Sequence, residues 1–202
     1  MHQILAPALV HGTTTGALYL GSLSAATDKD LLRQNHITHV VHVLGDGYWF
    51  PSNPGESGGV WKDGFCSYRI DILDETTEDL GRYLESVCTF IDKTLRSGRN
   101  VLVHCHQVSN RHPIDSFAPF SPLSLQQGIS RSASITIAYL IYNHGMSFEI
   151  AYALVKRKRA CIKPNSGFVR VLQEWDVACH GRTSAGGPGQ NMRPVLGRRF
   201  TS

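Results

Sequence analysis

Cys105 and, 26 positions later, Arg131 are the residues of this chain whose types and surroundings point to chemistry. Cys105 follows the short apolar run NVLVH (100–104), which reads as a strand buried on both faces of a parallel sheet. Arg131 stands in GISRS (128–132), where a small-residue turn opens a long apolar helix. A turn from a strand into a helix N-terminus points N–H groups inward and adds the positive end of the helix dipole, so it binds anions. That potential favours the thiolate of a cysteine placed there, and the thiolate is the nucleophilic form. An arginine in the same turn offers a planar fork to two phosphate oxygens. The implied chemistry is attack by sulfur on a bound phosphate.

The obstacle is the segment between the two halves. VSNRHPIDSFAPFSPLSLQQ (108–127) carries three prolines and four serines and has no helical or strand period. Skipping these 20 residues leaves HCHQ–GISRS, with Cys105 and Arg131 six positions apart. Extruding such a loop costs on the order of 2–3 kcal/mol in chain entropy, which a folded domain tolerates. Geometry is the harder demand, because successive N–H groups must curl around one phosphate and Gln107 must lead almost directly to Gly128. A misplacement of about 1 Å can cost some 100-fold in rate, so the chain as written is expected to be severely impaired. Valine codons begin GT and one glutamine codon is CAG, so Val108–Gln127 also reads as the in-frame translation of a short retained intron. The glutamines at 107 and 127 leave that boundary ambiguous by one residue.

The elements that must position these residues alternate between strand and helix. Residues 17–45 read as strand, helix and the β-branched strand ITHVVHVL, with the helix starting near Thr27. Residues 46–64 are rich in glycine and hold two prolines, so they read as a loop. CSYRIDIL is a strand ending just before Asp74. TTEDLGRYLESVCTFIDKTLRSG is a helix: Thr76 and Asp79 approximate a capping box, and Leu80, Leu84, Val87, Cys88, Ile91 and Leu95 form one apolar stripe. Gly98 is its stop. RSASITIAYLIYNHG, SFEIAYALVKRKRA (capped by Ser147) and NSGFVRVLQEWDVA (with Phe168, Leu172 and Trp175 on one side) are three further helices. The pattern predicts a single α/β domain with a mostly parallel central sheet flanked by helices on both faces. Its expected limits are 17–177, after an N-terminal lead (1–16), interrupted at 108–127 and followed by a disordered Gly- and Arg-rich tail (178–202).

HCxxGxxRS, once the insert is skipped, is the signature of the cysteine-dependent protein phosphatases. The segments LYLGSLSAA, ITHVVHVL, YRIDILDETTEDL, FIDKTL, NVLVHC, GISRSASITIAYL and KPNSGFVRVLQEW resemble, in order, those of the dual-specificity protein phosphatase family. The likeness covers about 17–176 and implies that family's tyrosine-phosphatase-like fold. It implies Cys105 as the nucleophile that accepts the phosphoryl group, Arg131 as the clamp on the equatorial oxygens, and Asp74 as the acid that protonates the leaving tyrosine oxygen and later activates water. Ser132 matches the hydroxyl that steadies the departing thiolate, and His104 the residue that tunes the cysteine. Backbone N–H groups of Gly128, Ile129, Ser130 and Arg131 would line the phosphate cradle. No metal or organic cofactor is implied, because thiolate, arginine and aspartate fill every role.

Plainer readings stand beside these. Cys105 can be a buried inert thiol, and Asp74 alone is as good a helix cap as an acid. Asp71 alternates with Ile70 and Ile72 and suits a strand's solvent face. Asn165 and Ser166 read as helix caps rather than ligands. His36, His39 and His42 lack helical metal spacing and are expected against solvent or loop groups. Cys88 falls on the apolar stripe, which favours a core role over a disulfide with Cys105. The run KRKR (156–159) reads as a solvated helix face.

Composition narrows the partners. A net charge of +4 with dispersed basic residues favours anionic ligands without requiring nucleic acid. RNA 5′-phosphate hydrolysis, known among relatives, is disfavoured for want of a basic, aromatic-interleaved surface. No apolar stretch is long enough to span a bilayer, and the first residues lack a basic segment followed by a long apolar core. Five cysteines without CxxC spacing argue for a reducing compartment, so the cytoplasm and/or nucleus is expected. Positions 106, 107, 129 and 130 lack the lysines of inositol-phospholipid relatives, which favours a phosphoprotein substrate. The expectation is hydrolysis of phosphotyrosine, extending to phosphoserine or phosphothreonine; the alternative is a catalytically silent phosphopeptide-binding module. Tyr48, Trp49, Phe50 and Trp61 would recognise partners if exposed.

Overall fold

The structure, a computed structural model, describes residues 1–10, 12–45, 59–60 (backbone only), 65–106 and 129–181. Gln107 and Gly128, the interval between them, the aromatic residues of 46–64 and the tail from 182 lie outside the described residues. A six-stranded sheet is built from β1 (His2–Leu5), β4 (Leu18–Ser22), β5 (Ile37–Leu44), β6 (Gly59–Val60), β7 (Cys66–Asp71) and β8 (Asn100–Cys105). Strands β2 (Leu9–Val10) and β3 (Thr13–Thr14) form a small separate ribbon. The sheet order is β1-β4-β8-β5-β7-β6, in which β4, β8, β5 and β7 run parallel and the edge strands β1 and β6 pair antiparallel. The expected α/β domain with a mostly parallel sheet is therefore present.

Strand β8 lies at the centre because its sequence suits burial on both faces. Val101, Leu102, Val103 and His104 are fully buried. Alternation sorts its side chains: Val101, Val103 and Cys105 join the large core, while Leu102 joins a smaller core with Ala26, Leu32, Ile37 and Val40. The smaller core lies under α1 (Leu23–Thr27) and α2 (Lys29–Gln34). The larger is closed by α3 (Gly81–Arg96), α4 (Arg131–His144), α5 (Phe148–Lys158) and α6 (Ser166–His180). Cys105 thus faces the α4 side of the sheet.

Helix α4 is buried continuously from Arg131 to Ile141. It carries hydroxyls there because Ser134 Oγ and Thr136 Oγ1 donate to the carbonyls of Ser130 and Ser132, each at 2.9 Å. Gly145 ends it in the left-handed region, at φ 62°.

Several expectations are corrected. The long helix α3 starts at Gly81, and Thr76–Asp79 make no capping box. The reason is that this segment packs against α6: a Cβ on Gly167 would lie 2.1 Å from the Thr76 carbonyl oxygen. The apolar stripe and Gly98 (φ 76°) stand as expected. The lead contains edge strand β1, with Ile4 in the core. Helix α6 runs past 178 to His180, whose ring binds the Gly145 carbonyl and the Asp176 carboxylate. Asp71 is not a free solvent-facing carboxylate but accepts from Arg69 Nε at 2.6 Å in a largely buried pair. His39 and His42 are buried, and only His36 of the three is exposed. In the basic run, Lys156–Lys158 are exposed, whereas Arg159 is buried against His2 Nδ1.

Candidate active site

The parallel ladders hold Cys105 at the carboxyl end of β8, registered with Ser22 of β4 and Val43 of β5. Its residue exposure is 2%. Opposite it begins α4, and Ser132 in the first turn of that helix donates its hydroxyl to Cys105 Sγ at 3.1 Å. Two residues separated by 27 positions are thereby brought into direct contact.

Arg131 is also buried, at 4% exposure. One terminal nitrogen donates to the Ile72 carbonyl at 3.1 Å, and no carboxylate among the described residues pairs with it. Its Nε is buried without a hydrogen-bond partner among the described residues. A buried cation left short of partners costs several kcal/mol, and an oxyanion would satisfy it. Gly45 makes room for Leu73: a Cβ there would lie 2.6 Å from Leu73 Cδ2, but at an ordinary contact distance of 3.7 Å from Arg131 Nη1.

Asp74 lies just beyond β7, where Ile72 N–H still bonds to the Leu44 carbonyl. Its Oδ1 accepts from Ser130 Oγ at 2.6 Å and from Asn165 Nδ2 at 2.8 Å. Ser130 is the N-cap residue of α4, yet its hydroxyl makes no cap bond and turns to Asp74 instead. The same hydroxyl accepts the Asn165 N–H at 3.1 Å. Asn165 Oδ1 in turn caps α6 by accepting from Phe168 N–H at 2.9 Å. Asn165 therefore ties α6 to the Asp74 segment through its side-chain amide and to the α4 turn through its backbone N–H. Lys163 N–H adds a bond to the Ile129 carbonyl at 2.9 Å. Asp74, Ile129, Ser130, Lys163, Pro164 and Asn165 line an open cleft of about 620 Å³ beside the turn.

His104 alternates away from Cys105, towards the other face of the sheet. It is fully buried and its Nε2 lies 2.5 Å from His42 Nδ1, with the rings edge to face. Burial, then the neighbouring His42, pushes His104 well below the ordinary histidine range, against an opposing contact with the Cys105 backbone. Burial and Arg69 lower His42 to about 3. Both rings are neutral at pH 7, so neither adds charge beneath the site.

The structure brings Ser132 to Cys105, sets Arg131 beside Ser132 with its guanidinium on the Ile72 carbonyl, and joins Asp74 to the same turn through Ser130. Ile129 contributes a backbone carbonyl contact with Lys163, and Gly128 is outside the described residues. Sequence reasoning missed the double role of Asn165, which it took as a cap alone. It also missed His42, whose only signal was its place in an apolar strand.

The family described as dual specificity phosphatase, catalytic domain, matches residues 18–114 and 126–178, leaving 115–125 unmatched. Dual specificity protein phosphatase 1B of Arabidopsis thaliana is 33% identical over 164 residues, covering 81% of this chain and 80% of that protein. Dual specificity protein phosphatase MPK-4 of Drosophila melanogaster is 34% identical over 83% of this chain but only 36% of its own length. The chain thus spans well under half of that second relative. The solved structure of human tyrosine phosphatase-like serine/threonine/tyrosine-interacting protein superposes with a TM-score of 0.62 at 29% identity, covering 85% of this chain and 95% of that one. With a domain match over most of its length and a site of thiol, buried arginine and tethered aspartate, this chain belongs to the dual specificity phosphatase family of cysteine-dependent protein phosphatases.

Proposed function

We propose that the chain's working form hydrolyses phosphotyrosine in proteins, and phosphoserine or phosphothreonine as well, through a cysteinyl-phosphate intermediate. The observation that carries this is the buried Arg131, with its unpartnered Nε, next to the Cys105–Ser132 contact. It supports a site that is complete only when an oxyanion is bound. In the first step, the Cys105 thiolate forms an S–P bond as the P–O bond to the leaving oxygen breaks. Asp74 gives its proton to that oxygen, while Arg131 holds the equatorial oxygens. In the second step, water attacks phosphorus, Asp74 takes its proton, and the S–P bond breaks. The electron pair returns to Cys105 Sγ, where the Ser132 hydroxyl already points. A phosphoprotein substrate in the cytoplasm or nucleus fits this reading.

The 20 residues between Gln107 and Gly128 favour a second reading, a phosphopeptide-binding module without turnover. Phosphate release from a phosphotyrosine peptide tests both, using the full chain, the chain lacking 108–127, and that deletion form with Cys105→Ser. Activity in the deletion form that the serine abolishes supports the phosphatase. Peptide binding without release in every form supports the module instead.

A further inference from the structure

We propose that Ser130 is a positioning residue for the acid step: its hydroxyl and the Asn165 amide both donate to Asp74 Oδ1, so the proton given to the leaving group is carried on Asp74 Oδ2. This role rests on the reading of Asp74 as the general acid.

Backbone groups at the ends of the network fix the direction of each bond in it. Phe168 N–H donates to Asn165 Oδ1 at 2.9 Å, which makes that atom the amide oxygen. The amide nitrogen is left with its two hydrogens for Asp74 Oδ1 at 2.8 Å and the Glu75 carbonyl at 3.4 Å. Asn165 N–H, which can only donate, occupies a lone pair of Ser130 Oγ at 3.1 Å. Ser130 is only 5% exposed, and among the described residues its hydroxyl has a single acceptor, Asp74 Oδ1 at 2.6 Å. A proton on Oδ1 directed at Ser130 would leave the serine hydrogen buried without an acceptor. The hydroxyl therefore donates to the carboxyl. Ser130 is anchored independently, because its carbonyl accepts from Ser134 N–H and Ser134 Oγ, each at 2.9 Å.

A carboxyl oxygen has two lone pairs, and both of those on Oδ1 are taken. Oδ2 accepts from no described residue, and Asp74 lines the open cleft. Protonated Asp74 is thus held with its carbonyl at Oδ1 and its hydroxyl at Oδ2. In the first step the Oδ2–H bond breaks and the proton goes to the leaving oxygen, which takes the electron pair of the P–O bond. The negative charge left on Asp74 is stabilised by the two donors at Oδ1. In the second step an Oδ2 lone pair takes the proton of the attacking water. Without the Ser130 donor one tie remains, and the carboxyl is free to twist about it.

Infrared spectroscopy of the full chain tests the placement without turnover. With 13C-carboxyl aspartate incorporated, the acid-minus-neutral difference spectrum of Asp74→Asn is subtracted from that of the parent to isolate Asp74. The expected C=O band lies below the frequency of an unbonded carboxylic acid, moves up in Ser130→Ala and returns in Ser130→Thr. A parent band at the unbonded frequency would place the proton on Oδ1 and overturn the proposal, even if no variant folds. A band unmoved in folded Ser130→Ala overturns it too. Phosphate release from aryl phosphates, in the full chain and the form lacking 108–127, gives the second readout. Ser130→Ala should lower kcat/KM by about tenfold for poor leaving groups, the worth of one hydrogen bond in that transition state. Good leaving groups, which need little acid, should be nearly unaffected. An equal loss on both classes would mean that Ser130 serves phosphate binding and not the acid. Failure of the phosphatase reading looks different: no form releases phosphate while the infrared result stands.

Discussion

The two sides of the catalytic turn are held in different ways. On the β8 side, Cys105 is fixed by backbone ladders to β4 and β5, with the buried His42–His104 pair on the opposite face of the sheet. On the α4 side, Ser130 and Arg131 are fixed by side-chain bonds to Asp74, Asn165 and the Ile72 carbonyl. Neither set of restraints passes through residues 107–128. Ser132 still reaches Cys105 Sγ at 3.1 Å although the chain between them is far longer than the family spacing. Catalytic side chains can therefore be held by their own scaffolds, whereas the row of N–H groups that receives phosphate depends on the chain between them. An insertion at that joint should remove the cradle and leave the side chains in place.

The largest expected effect tests the α4 side. In the form lacking 108–127, Arg131→Met should lower kcat/KM by about 10²–10³-fold, the cost of losing a preorganised oxyanion partner. The same change removes a buried cation with an unsatisfied nitrogen, so it should raise unfolding stability by on the order of 1 kcal/mol in phosphate-free buffer. Loss of stability in urea denaturation would mean that Arg131 is structural and would break the contrast between the two sides.

Next in size is the joint itself. Excision of 108–127 should raise kcat/KM by about 100-fold over the full chain. Equal activity in the two forms would show that the side-chain scaffolds suffice without a continuous turn.

Much of this was readable from residue types. The run NVLVHC, the stripe from Leu80 to Leu95 and the break at Gly98 place β8 and α3 through local periodicity and turn chemistry. Motif spacing put Cys105, Arg131 and Ser132 together. What escaped depends on contacts distant in sequence. Asn165 reads locally as a cap, and it is one, but its amide reaches Asp74 across 91 positions. His42 meets His104 across 62 positions because parallel register pairs them, and no local pattern encodes that register. Thr76 looked like a helix start until Gly167, from another helix, claimed its backbone.

A smaller effect separates the two tasks of Asn165. Asn165→Ser keeps an N-cap oxygen, so stability should change by only a few tenths of a kcal/mol. The amide donor to Asp74 is lost, and kcat/KM of the excised form should fall by about tenfold. The loss should be greatest for substrates with poor leaving groups, which need the acid most. Asp74→Asn should cost about 100-fold on the same substrates, and the two changes combined should cost no more than Asp74→Asn alone. An additive double variant would separate Asn165 from the acid.

The smallest effect belongs to the β8 side and is read as stability against pH. His42 titrates near 6.5 when unfolded and about 3 when folded, so the unfolded chain takes up the proton first as pH falls. Its contribution is intact above pH 6.5 and is lost progressively from there toward pH 3. Near pH 5 the loss amounts to about 2 kcal/mol. His104 is shifted in the same direction and adds to the slope. His180 runs the other way, because contacts with the Gly145 carbonyl and Asp176 raise it; its stabilisation is present below 6.5 and fades as pH rises through the folded value. Urea midpoints from pH 7.5 to 5 should therefore fall more steeply in the parent than in His42→Leu, with the difference growing below pH 6.5. Parallel curves would mean that His42 is not held neutral in the fold. The β8 side would then lose the buried pair that distinguishes it from the α4 side, where the ties that matter are to a carboxylate and a carbonyl.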